Sequence, residues 1–284
     1  MDAADDAAVF RALFAEAEAW LHAKGAQIAR GPFSHSINEE SGLLIDGFEH
    51  PPMMMMPYHP PYAKGHVEAC GYRKAKDLEA WDRKLKDRRP MRKPDLSGAG
   101  VRLRNLNPKD YRGDIERVMA VFNDAWAGNW GFVPFTADEI AHLAQSLRPI
   151  LSPDLMVIAE QDDTPVAMVI VTPNIAEAVA DLDGKLWPLG WAKLLYRLKA
   201  GQISSARMPL MGVRRSLQNT LLGAEIVRAM IATVVEAIDA RVFERVELSW
   251  ILEDNAPMQA LLKVMRATRY KTYRVFEKSL SAPH

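Results

Sequence analysis

Beyond residue 100, short apolar runs that read as strands alternate with amphipathic runs that read as helices. That alternation confines the chain to a sheet covered by helices. Residues 101–106 read as a strand, and Asn107-Pro108 opens a helix over 111–126. Thr136 with Glu139 three positions on has capping-box spacing and starts a second helix. Strands over 155–160 and 166–172 are joined by Gln161-Asp162-Asp163-Thr164, a hairpin turn. A helical stretch over 174–199 is interrupted by Gly184, Pro188 and Gly190. A strand over 208–213 leads into the longest helix signal, 219–240, where Leu222, Ile226, Met230, Val234 and Ile238 recur at spacing four. A strand over 246–250, a helix over 255–267 and a strand over 270–280 complete the order. The expected class is mixed α/β with a mixed sheet.

The first 90 residues read differently. Phe10, Leu13, Phe14, Ala17 and Leu21 recur at helical spacing over 9–22, and Gly25 stops that helix. A short strand is expected over 26–30 and another over 43–45, inside a Gly- and Pro-rich loop over 31–57. A helix over 62–70 and a closing strand over 72–81 follow. Residues 73–104 hold twelve basic and five acidic residues, with Pro90, Pro94, Gly98 and Gly100 among them. This stretch reads as a strand end followed by a solvated linker. The organisation expected is 1–90, a linker over 91–100, and 101–284.

Composition excludes several classes. Lys plus Arg and Asp plus Glu both number 36, so the net charge is zero. The chain has no global field for nucleic acid or an anionic membrane, and neither is expected as a partner. Cys70 is the single cysteine, which excludes an internal disulfide and a Cys-based zinc site and suits a cytoplasmic location. His35, His50, His59 and His66 lack His-x-x-x-His spacing on one helix, so no metal is expected. No apolar run approaches the ~18 residues of a membrane helix. The acidic start from Met1 to Asp6 is no export signal. The phosphate loop of nucleotide hydrolases and the Gly-x-Ser-x-Gly nucleophile elbow are both missing.

The segment with the most chemistry is the turn between strand 208–213 and helix 219–240. It holds Arg214, Arg215, Gln218, Leu221 and Gly223. First-turn amides and the helix dipole make such a turn an anion site, and a glycine lets backbone approach phosphate closely. An ordinary strand-to-helix connection would hold the same residues. Asn255, at the end of strand 246–250, is either a helix cap or a ligand contact, or both. Met53 to Met56 read as a loop packed on the sheet.

The order of elements and these turn residues resemble the GCN5-related N-acetyltransferase (GNAT) superfamily. Gln218 and Gly223 fall on the first and last positions of its pyrophosphate loop, Leu221 stands where a middle glycine belongs, and Asn255 follows the next strand. The resemblance implies acetyl-CoA as co-substrate, held by main-chain groups of Met211 and Val213 and by the loop and helix-start residues Gln218, Thr220, Gly223 and Ala224, with Asn255 on the CoA arm. It implies acetyl transfer to an amine carried by a small molecule or a protein. The family's usual tyrosine acid would fall at Leu262, which leaves Tyr270 and Tyr273 as nearby alternatives and Glu160, Glu247 and Glu253 as candidate bases. Trp187, Trp191 and Tyr196 would be an acceptor wall or core packing. The second reading is a non-catalytic acyl-CoA-binding or scaffold protein.

The front region carries Gly31-Pro32-Phe33-Ser34, Gly47-Phe48-Glu49 and Met54-Met55-Met56-Pro57-Tyr58. It resembles the C-terminal half of a second such domain, as in a bacterial tandem-domain group. The implied arrangement is one complete domain preceded by half of another, on an N-terminally shortened chain. A fragment from residue 95 onward is then expected to fold alone, and an open sheet edge in front would favour a homodimer.

Overall fold

The computed structural model describes residues 3–34, 36–86 and 92–280. His35, Pro90 and Met91, which carry part of the readings above, lie outside the described residues. Contacts divide the chain into two units, Met1–Asp82 with Ser249–His284, and Arg83–Leu248.

In the first unit, α1 (Ala7–Ala23) is capped by Asp6, whose side chain accepts from Ala8 N. β1 (Ile28–Gly31), β2 (Phe33–Ser34), β3 (Ser36–Ser41) and β4 (Leu43–Asp46) follow, so a segment read mostly as loop holds a small β2–β3 ribbon as well. α2 (Tyr62–Ala69) and β5 (Arg73–Lys84) precede the linker, and the last strand is β11 (Thr268–Ser279). β11 is antiparallel to β5 from Thr268↔Asp82 to Glu277↔Arg73. On its other edge it takes β4 and β1. Tyr273, Val275 and Phe276 are buried as befits a strand with neighbours on both sides. Phe10, Leu43, Ala63, Val67 and Phe276 share one core.

This pairing crosses the expected division into 1–90, 91–100 and 101–284. Strands read as closing two separate domains close on each other, and β11 has all its described partners before the linker. Alternation along a strand marks its buried face but carries no information about which distant strand it joins.

In the second unit, β6 (Val101–Asn105), α3 (Tyr111–Ala125) and α4 (Ala137–Leu147) lead to the hairpin β7 (Met156–Gln161) and β8 (Thr164–Pro173). α5 (Ile175–Val179) and α6 (Gly190–Lys199) precede β9 (Ser205–Val213), α7 (Leu221–Asp239) and β10 (Arg245–Leu252). β6, β7, β8 and β9 are successively antiparallel, and β9 runs parallel to β10, so the sheet is mixed as expected. Ile115, Val118 and Phe122 of α3 pack with Met156, Ile158 and Met168. The alternate strand residues Val157 and Ala159 are buried too, and α7 contacts β7 and β8 through its stripe Ile226, Met230 and Val234. Thr136 and Glu139 form the capping box at α4.

Candidate functional site

The site is assembled in the second unit, where β9 ends and α7 begins. Arg214 N donates to Val166 O (2.8 Å), which puts Val213 in a non-hydrogen-bonded position opposite Ala167. Met211 stands opposite Val169 in the same phase. The N–H and C=O groups of both residues therefore point away from β8. On that side the register with β10 runs to Leu248↔Met208, and β9 continues through Met211 to Val213 beyond it. The strand thus presents a polar edge.

A short 3-10 turn (Arg215–Leu217) leads to Thr220, the N-cap of α7. The Thr220 hydroxyl accepts from Gly223 N (3.0 Å) and donates to Leu217 O (2.8 Å). Asn219 adopts a left-handed φ of 60°, which Asn tolerates. Gln218 N donates to Arg214 O, Thr220 N to Leu217 O, and Ala224 N to Thr220 O. Those four expected phosphate-binding residues, Gln218, Thr220, Gly223 and Ala224, thus engage their amides within the turn. Among the described residues, the amides of Asn219, Leu221 and Leu222 are left without a protein acceptor.

Leu221 and Gly223 are placed differently in the turn. Leu221 does not turn into the core and is 89% exposed. It lies five residues before Ile226, about 140° around the helix from the buried stripe. Gly223 is also needed by the turn itself. A Cβ there would lie 2.0 Å from Leu217 O, so glycine lets the helix start close on its own turn.

The support from α3 was missed by sequence reasoning. A Cβ on Gly212 would strike the Trp126 ring, so the indole packs directly against the β9 backbone at this glycine. Trp126 in turn stacks on Phe122 at 4.7 Å. The Gln218 side-chain Nε2 donates to Val213 O (3.0 Å) and Ala125 O (3.2 Å), bracing the turn between strand and helix end. Asp124 accepts from Arg215 N at 2.7 Å. Arg214 is committed to Pro165 O (2.7 Å), whereas the Arg215 side chain is mostly exposed. The signal that was present, Asp124-Ala125-Trp126 at a helix end, has no period of its own.

The candidate bases are mostly engaged. Glu160 accepts from Arg104 Nε (2.9 Å) and Arg102 (2.9 Å). Burial pushes its carboxyl up, but the two arginines outweigh this and hold it below the usual range. Glu247 is fully buried opposite Arg207 in the β9–β10 register, with 3.5 Å between Oε1 and Nε.

In the first unit, Asn255 caps α8 (Ala256–Val264), its Oδ1 accepting from Met258 N at 3.2 Å. Leu262 is fully buried. Tyr270 lies on β11 with its ring 5.0 Å from His50. Glu253 binds Lys74 and accepts from Asp77 N. His59 is buried, its Nδ1 accepting from Leu44 N, and Met53 and Met56 are buried as expected of a packed loop.

Comparison with known proteins gives the family. No protein-family model matches the chain. It is 43% identical to protein YghO of Escherichia coli (strain K12) over 284 residues, covering 99% of this chain and 73% of that protein. It is 42% identical to the bacterial ceramide synthase of Caulobacter vibrioides over 285 residues, covering 98% of this chain and 73% of that enzyme. A tandem GNAT protein from the clavulanic acid biosynthesis pathway superposes with a TM-score of 0.54 at 13% identity, covering 96% of this chain and 70% of that one. A GCN5-related N-acetyltransferase from Sphaerobacter thermophilus superposes with a TM-score of 0.50 at 18% identity, covering 85% and 60%. The structural matches establish the fold and the two relatives the lineage: the chain belongs to the family of YghO and the bacterial ceramide synthase and has the GNAT fold.

Proposed function

We propose that the protein is an acyl-CoA-dependent N-acyltransferase whose acceptor is the primary amine of a long-chain amino alcohol. The observation that carries the catalytic class is the β9–α7 turn, with its outward amides at Asn219, Leu221 and Leu222 beside the backbone edge of Met211 and Val213, where, among the described residues, only the Val213 carbonyl is taken up, by Gln218. Three amides and a helix dipole suit a pyrophosphate, and an extended backbone edge suits the two amides of a pantetheine arm. The acceptor class follows from the relative named a ceramide synthase, because a ceramide is a long-chain amino alcohol acylated on nitrogen. A fatty acyl donor suits that product better than the acetyl group the fold resemblance implies.

The chemistry needs little beyond placement. The amine lone pair attacks the thioester carbonyl, the C–N bond forms, and the C–S bond breaks to release CoA thiolate, which takes up a proton. Positioning and a route for that proton account for most of the rate. Polarisation of the carbonyl falls to main-chain N–H groups at the Met211–Val213 edge. Glu160 and Glu247 are held by arginines, so neither is assigned as the base. A cytoplasmic, reducing compartment suits both Cys70 and a free CoA thiol.

A non-catalytic acyl-CoA-binding role is the second reading. It is favoured by the exposed Leu221 beside the anion amides and by buried Leu262 at the usual acid position. The test is thiol release from a long-chain acyl-CoA in the presence of a sphingoid amine, with the amide identified by mass. Amide formation supports the enzyme, and tight CoA binding without it supports the second reading.

A further inference from the structure

We infer that the α5–α6 segment docks the protein onto an anionic lipid bilayer surface. Of the fifteen large apolar side chains exposed among the described residues, six fall within 186–196: Leu186, Trp187, Leu189, Trp191, Leu195 and Tyr196. Scattered exposed apolar residues are ordinary, but a concentration of this kind marks a binding surface. Trp187 is 82% exposed and Tyr196 63%, so the expected alternative of core packing does not hold for them. Within α6, Trp191 and Leu195 are one turn apart and face outward, whereas Leu194 and Leu198 are half-buried. The segment is fixed in this orientation. Asp181 binds Lys193 (2.5 Å) and Arg197 (2.6 Å), and Arg197 also donates to Ala178 O (2.6 Å).

Charge selects the occupant. From Lys185 to Lys199 there are four basic residues and no acidic one. Asp181 offsets part of that charge through Lys193 and Arg197, and exposed Lys185 and Lys199 flank the apolar stretch at its two ends. Trp and Tyr among Leu, bordered by Lys, is the composition of a helix lying in the bilayer interface. A second copy is disfavoured, because a two-fold contact through this patch would bring like charges together. The zero net charge of the whole chain therefore hides a local surface of the opposite character. No helix among the described residues is long and apolar enough to cross a membrane, which fits surface docking. The inference does not rest on the acyltransferase reading.

Vesicle flotation tests it with the full chain. The protein should float with phosphatidylcholine vesicles containing phosphatidylglycerol, and less with phosphatidylcholine alone or at high salt. Trp187→Ala with Trp191→Ala should cut flotation about tenfold. Lys185→Gln with Lys199→Gln should remove the preference for anionic vesicles without lowering the melting temperature, which guards against a misfolded tryptophan variant. Failure of the unaltered chain to float, or flotation unchanged in both variants, overturns the inference. So does a concentration-dependent dimer that the same substitutions abolish in the absence of lipid.

Discussion

Arg274 and Asp77 lie 197 positions apart and face each other across β11 and β5, where the guanidinium donates two hydrogen bonds of 2.7 and 2.9 Å to the carboxylate. The pair ties the last strand of the chain to a strand that precedes the linker. Lys278 and Glu18 do the same between β11 and α1, at 2.8 Å.

The segment from residue 95 onward should therefore not fold alone, contrary to the expectation from sequence. It would keep β11 but lose β5, β4 and β1, leaving both strand edges and a buried Tyr273–Phe276 face open. Thermal denaturation of a 95–284 fragment should give no cooperative transition. A sharp melt near that of the whole chain would show that β11 does not need its front partners.

Local structure was legible where one segment settles its own conformation. The spacing of Leu222, Ile226, Met230, Val234 and Ile238 located α7, and Thr136 with Glu139 located the start of α4. Gly223 and Thr220 were legible as residues of this turn, and both help to close it. The β5–β11 pairing was not legible, because partner choice is a property of the whole sheet. The Trp126–Gly212 contact was hidden for the same reason: it joins a helix end to a strand far along the chain.

Asp114 anchors a buried charge network in the second unit. It has no exposed surface and accepts from Arg104 (2.7 and 2.8 Å), Arg117 (2.8 Å) and Asn107 N (2.8 Å). Burial raises its carboxyl pKa, but Arg104, the Asn107 amide and Arg117 outweigh this and hold it below the usual range. Its folded pKa is thus below its unfolded value, and the unfolded state binds more protons in between. The stability it contributes is present above the unfolded pKa and is lost as pH falls toward the folded one. Stability should decline below about pH 5, and Asp114→Asn should flatten that decline. At neutral pH, Asp114→Ala should cost about 2 kcal/mol through its lost charge-assisted hydrogen bonds, while Arg104 keeps Glu160 and Arg117 keeps Asp110. An unchanged acid limb in the Asn variant would contradict the assignment.

Asn255 is a helix cap. Asn255→Ala should cost about 1 kcal/mol of stability through loss of the Met258 N contact. Asn255→Asp should keep the melting temperature, since Asp caps as well. A melting temperature that falls as far in the Asp variant as in the Ala variant would contradict the cap assignment.

The central claim is that the start of α7 holds the CoA pyrophosphate, and Leu221→Asp tests it most directly. Leu221 is exposed in the first turn and packs on no core. A carboxylate there favours the helix dipole and should leave stability unchanged or raise it by about 0.5 kcal/mol. The same charge would repel a pyrophosphate held on the Asn219, Leu221 and Leu222 amides. Titration calorimetry with CoA should therefore show binding at least tenfold weaker, about 1.4 kcal/mol, in a variant that melts no lower than the unaltered protein. Undiminished CoA affinity in that variant would contradict the account and leave the turn an ordinary connection.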